Sequence, residues 1–99
     1  MKGLILSQKI REKLAGKSPP VTEEEIRQCF ANQTHEALLD TREEHRTDPP
    51  TRWFVAETDY GRKLKIMYVP RTEGVSIKSA YDASPEIIRI YSKYAVRPI

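Results

Sequence analysis

The sequence predicts an α+β domain in which N-terminal helices and a C-terminal helix pack on one face of an antiparallel β-sheet. Three observations carry that expectation. Residues 52–58, 63–70 and 75–81 are rich in β-branched and aromatic residues and are joined by the hairpin-length connectors "DYGR" and "RTEG". The stretch "VTEEEIRQCFAN" has the signature of a helix start followed by an apolar stripe. The run "DASPEIIRIYSKYA" opens with Ser84 and Pro85, a cap and a first-turn proline. With 99 residues, the chain reads as one domain spanning 1–99.

Element by element, "LILS" (4–7) reads as a short first strand. Ser7 then serves as N-cap for a helix over 8–15 that stops near Gly16, with Ile10 and Leu14 on one face. The "SPP" at 18–20 cannot continue a helix, because proline lacks the N–H and biases its predecessor to extended geometry. In the second helix, over 22–31, Thr22 and Glu25 form a capping box and Val21 and Ile26 a hydrophobic staple. Ile26, Cys29 and Phe30 supply its buried stripe and Asn32 ends it. Residues 36–41 read as a short strand, and Asp48, Pro49 and Pro50 mark a loop. The last helix, over 85–94, turns Ile87, Ile88, Tyr91 and Tyr94 to one side.

Composition narrows the function classes. No run approaches the roughly 20 apolar residues of a membrane-spanning helix, and the start "MKGLILSQKI" is too short in apolar residues for a signal-peptide core. The single cysteine, Cys29, cannot form an internal disulfide, which fits a reducing compartment. The expected location is the cytoplasm, without a membrane. Neither a cysteine pair nor a metal-binding histidine spacing is present, so no metal and no cofactor are expected.

The formal net charge is +3, but its distribution is the informative part. Residues 22–44 carry seven carboxylates against Arg27 and Arg42, whereas residues 61–78 carry Arg62, Lys63, Lys65, Arg71 and Lys78 against Glu73. An acidic half followed by a basic hairpin is expected where one face meets phosphate. Strict strand alternation puts Leu64, Ile66 and Tyr68 on one face of the hairpin and Lys65 with Lys78 together on the other, uncovered face. Lysines on an open strand face also serve solubility and block edge pairing. The alternative is a phosphate-binding face in which Arg62, Lys63, Lys65, Arg71 and Lys78 contact RNA and Tyr81 stacks on a base or moves a proton. His45, in the polar loop "TREEHRTDPP", is a second candidate for proton transfer. Trp53 and Cys29 read as packing residues.

The order of motifs resembles the BrnT-like toxins, a branch of the RelE/ParE superfamily of bacterial type II toxin–antitoxin pairs. The resemblance rests on "VTEEEIRQCF", "RWFVAET", "GRKLKIMYVPR", "IKSAY" and "PEIIRIYSKY" in that order, and covers most of the chain. The chain departs from the pattern at Tyr81, where the family often has arginine, and at "AGKSPP", which replaces a Lys-His-Gly. The resemblance implies a RelE-like fold and a metal-independent endoribonuclease that inhibits translation, held by a cognate antitoxin of ribbon-helix-helix type. It implies a ribose 2′-hydroxyl attacking the adjacent phosphate, with Lys65, Arg62, Arg71 and Lys78 stabilising charge and Tyr81 or His45 transferring protons. Two other classes remain open: a non-catalytic RNA- or protein-binding module of the same fold, and a structural domain with a solvated lysine face.

Overall fold

The computed structural model describes residues 3–42 and 47–99. The elements run β1 (Gly3–Ile5), α1 (Gln8–Ala15), α2 (Glu23–Ala31), β2 (Leu38–Leu39), β3 (Arg52–Glu57), β4 (Lys63–Pro70), β5 (Gly74–Asp82) and α3 (Pro85–Tyr94). Local chemistry accounts for the helix boundaries. Ser7 and Ser84 accept hydrogen bonds from the backbone N–H groups of Ile10 and Ile87, so each caps its helix. The Thr22–Glu25 capping box is closed in both directions, and the staple residues Val21 and Ile26 are both buried.

The five strands form one sheet in the order β1-β5-β4-β3-β2. Four of them make an antiparallel meander, as expected, but β1 adds to β5 in parallel, so the sheet is mixed. Helices α1 and α2 separate β1 from the meander, so no hairpin turn ties it antiparallel to its neighbour. The first and second predicted strands are shorter than expected, at three and two residues.

The helices also divide between the two faces, where the sequence led us to expect one. On one face, Phe30 of α2 meets Phe54 edge-on at 4.9 Å and Tyr68 at 5.3 Å between ring centroids. The Cys29 thiol donates to the Ala56 carbonyl at 3.6 Å. Beneath these lie Leu64, Ile66, Ile77 and Ala80, all essentially inaccessible. The next residue along β3 from Phe54 is Trp53, which points to the other face, and its ring lies 5.7 Å from that of Tyr91 on α3. Covering part of the second face with α3 explains why Trp53 and Met67 are buried there.

The β4–β5 hairpin contains a bulge. From the turn, Pro70 pairs with Val75, Val69 with Ser76 and Tyr68 with Ile77, but Met67 then pairs with Ser79, Ile66 with Ala80 and Lys65 with Tyr81. Lys78 is the extra residue, opposite none on β4. Regular pairing would have set Ala80 opposite Lys65 and Ser79 opposite Ile66. The one-residue shift puts the apolar Ala80 in the core and delivers Tyr81 to the face of Lys65.

Candidate functional site

The structure sorts the predicted cations into three different environments. Lys65 is not on an open face: it is only 5% exposed. Its ammonium lies 4.5 Å from the centroid of the Trp53 ring and 5.6 Å from that of Tyr81, its cross-strand partner. A second ammonium, Lys17 from the α1–α2 loop, lies 5.6 Å from the same Tyr81 ring. Among the described residues neither lysine is in an ion pair. Every fully buried side-chain nitrogen and oxygen among the described residues has a hydrogen-bond partner. Lys65, bounded by ring faces, therefore keeps its ammonium in touch with solvent. The result is a cluster of two cations and two aromatic rings, one of them carrying a phenol hydroxyl. Cation–π contact gives each cation about 0.5–2 kcal/mol, which holds an ammonium in place without neutralising it.

Arg62 has a different job. Its Nε and Nη2 donate to the two Asp82 carboxylate oxygens at 2.8 and 3.1 Å. Its Nη1 donates to Glu25 at 3.0 Å and to the Pro20 carbonyl at 2.8 Å, and Nη2 also donates to the Pro19 carbonyl at 3.1 Å. All three guanidinium nitrogens are engaged, so Arg62 ties the β3–β4 turn to the proline loop, to α2 and to β5. Hydrogen bonding to Arg62 holds the Asp82 carboxyl below its ordinary range, against the opposing effect of burial. Burial opposes ionisation of Glu25, but hydrogen bonds from the Thr22 N–H and from Arg62 outweigh it, so that carboxyl is also lowered.

The remaining candidates are spread out. Arg71 is exposed in the β4–β5 turn, six residues along the strand from Lys65, or about 20 Å at the usual rise. Lys78 is exposed at the bulge, and Lys63 is exposed at the start of β4 opposite Glu57. His45 lies outside the described residues. Lys65 and Tyr81 are thus the predicted pair that the fold brings together. Lys17 and the ring of Trp53 were missed in the sequence. Lys17 sits in a loop with no periodicity to read, and Trp53 has the ordinary look of a core residue. Cys29 is buried, and burial first, then the nearby Glu25 carboxylate, push its thiol up to about 12, which removes it from nucleophilic chemistry near neutral pH.

No helix among the described residues is long and apolar enough to cross a membrane. Comparisons of the chain with protein-family models, with curated proteins and with solved structures return no match.

Proposed function

We propose that this chain is a small bacterial toxin of RelE/BrnT-like fold that acts as a metal-independent endoribonuclease, with its reaction centred on Lys65 and Tyr81. The observation that carries this reading is a nearly buried lysine whose ammonium lies over aromatic rings and is in no ion pair among the described residues. The Lys65 ammonium is screened only by ring faces and Lys17 stands over the same Tyr81 ring, so the two together are suited to receive an anion. A backbone phosphate of RNA supplies one, and its base offers a flat face to Tyr81.

In this reading Lys65 and Lys17 stabilise the extra negative charge as the ribose 2′-oxygen bonds to phosphorus. The bond from phosphorus to the 5′-oxygen breaks, leaving a 2′,3′-cyclic phosphate on one fragment. The 2′-hydroxyl proton passes to a base or to water, and the Tyr81 hydroxyl donates a proton to the departing 5′-oxygen. A cognate antitoxin of ribbon-helix-helix type would restrain the activity by covering the basic face.

One observation favours the alternative of a non-catalytic RNA- or protein-binding module: Arg62 is fully engaged within the fold, which leaves the reaction with few fixed cations. The two readings separate in one set of measurements on Lys65→Gln and Tyr81→Phe, namely RNA binding at several salt concentrations, cleavage of the same RNA, and a melting curve. Lys65→Gln is expected to weaken binding and reduce the slope of log K against log salt by about 0.7. Tyr81→Phe is expected to keep binding and to lower cleavage by about 10²–10⁴-fold. Binding without cleavage by the parent chain selects the module. Absence of RNA binding by the parent at low salt defeats the ribonuclease and the RNA-binding module, and leaves a protein-binding module or a structural domain.

A further inference from the structure

The sheet has a gap on its β2 side. Strand β2 pairs with β3 at Leu38–Trp53 and Leu39–Arg52. Extending that register would place Glu36 opposite Val55 and Thr34 opposite Glu57. The chain turns away instead. Glu36 donates its N–H to the Arg97 carbonyl, the Ile99 N–H donates to Thr34, and His35 bridges to Pro98. The Tyr91 hydroxyl fixes the departure by donating to the carbonyls of His35 and Glu36, at 2.9 and 3.0 Å.

What this leaves on β3 follows from strand parity. The Thr51 carbonyl accepts from Asp40 on the β2 side, and the Thr58 N–H donates to Arg62 on the β4 side. Odd residues from 51 to 57 therefore direct their backbone groups away from β4. The Glu57 carbonyl takes the Asn32 side-chain amide. Among the described residues none takes the N–H or carbonyl of Val55 or the N–H of Glu57. These groups open into a groove of about 650 Å³, whose wall includes Val55, Ile88, Tyr91 and Ala95 and whose outer end carries Glu57 and Asp59. Neither carboxylate is in an ion pair among the described residues; Lys63 lies opposite Glu57 in register without closing one.

We infer that this gap is a docking site for an extended peptide segment of a partner protein, added as a strand antiparallel to β3. The unpaired backbone groups are the template. The residue opposite Val55 exchanges two backbone hydrogen bonds with it and turns its side chain toward α3, so an apolar side chain fits there. The residue two positions earlier lies opposite Glu57 on the same face, where Glu57 and Asp59 select lysine or arginine. The segment therefore reads basic, any residue, apolar, and it ends there because β2 occupies the next position. This inference does not rest on the RNA reading, since Lys65, Lys17 and Tyr81 lie outside the groove.

The test uses the full chain and the peptide acetyl-TTRTV-amide, with amide hydrogen exchange followed by NMR. Saturating peptide is expected to slow exchange of the Val55 and Glu57 amides at least tenfold. Glu57→Lys, a change at an exposed position, is expected to weaken the peptide at least tenfold, and acetyl-TTETV-amide to recover the loss. Methylating the backbone nitrogen of the peptide's valine is expected to abolish the protection. Unchanged exchange at millimolar peptide overturns the inference. So does equal binding of the two peptides to the parent chain, protection of the Val55 amide in the free protein, or protection that grows with protein concentration without peptide, which would assign the gap to a second copy.

Discussion

Arg62 and Lys65 are three positions apart, and the fold gives them opposite fates. Arg62 sits where a turn, a proline loop, a helix and a strand converge, and two carboxylates and two carbonyls hold its fork. Lysine has no such fork and cannot replace it. Arg62→Gln is expected to lower stability by about 2–3 kcal/mol at pH 7, because it removes the charge-assisted hydrogen bonds to Glu25 and Asp82 and those to two carbonyls. The same hub sets an acid dependence. The folded-state values of Glu25 and Asp82 lie below their ordinary values of 4.5 and 3.8. Their contribution is therefore complete above those ordinary values and is lost as pH falls through the depressed folded values. Urea melts of the parent should show stability falling below about pH 4.5, with a shallower fall in Arg62→Gln. Equal slopes in the two proteins would remove Arg62 as the cause.

At the scale of elements, two short-range features decide how the sheet is assembled. Strand β1 joins β5 through Gly3 and Gly74, which stand opposite each other. A Cβ at Gly74 would overlap the Gly3 carbonyl, so the close approach of the two backbones needs glycine there. Gly74→Ala is expected to displace β1 while leaving the β3–β4–β5 meander intact. Amide exchange would show it as faster exchange confined to residues 3–5 and 74–76. Retained protection at Leu4 and Ile5 would contradict it. The bulge at Lys78 is the second feature. By shifting one register step it exchanges Ser79 for Ala80 in the core and brings Tyr81 beside Lys65. The candidate site is therefore a product of a sheet irregularity, a common place to find one.

Across the whole molecule, both sheet faces are used, but unequally. Helices α1 and α2 cover one face, whereas α3 covers the β3 side of the other and leaves the Lys65–Tyr81 pair on the β5 side. Tyr91 joins the two parts of the α3 side: its ring meets Trp53 and its hydroxyl holds residues 35 and 36 away from β3. Burial first, then the nearby Tyr68, raise its phenol to about 12, so it remains a donor throughout the neutral range. Tyr91→Phe keeps the ring and removes the hydroxyl. It is expected to cost about 1 kcal/mol in urea denaturation and to speed exchange at Glu36 and Ile99, whose bonds to the chain end depend on that segment's position. A variant as stable as the parent, with unchanged exchange at both amides, would show that the hydroxyl does not hold the segment.

The sequence by itself determined the helices, because caps, staples and proline stops act within a few residues: Ser7, Thr22–Glu25 and Ser84–Pro85 each do locally what their residue types predict. It also determined the three long strands and their hairpins, whose composition and turns are local, and the packing roles of Cys29 and Trp53. Only the tertiary structure decided the rest. The parallel partner of β1 and the face chosen by α3 depend on residues more than 30 positions apart. The bulge overrode strict alternation, setting apolar Ala80 rather than Ser79 opposite Ile66 in the core, and that one shift left Lys78 without a partner on β4. Arg62 looked like a surface cation in a basic hairpin, and became structural because Glu25 and Asp82, 37 and 20 positions away, were brought to it. Charge along a chain records how many cations there are; which of them remain unpaired is settled when the chain closes.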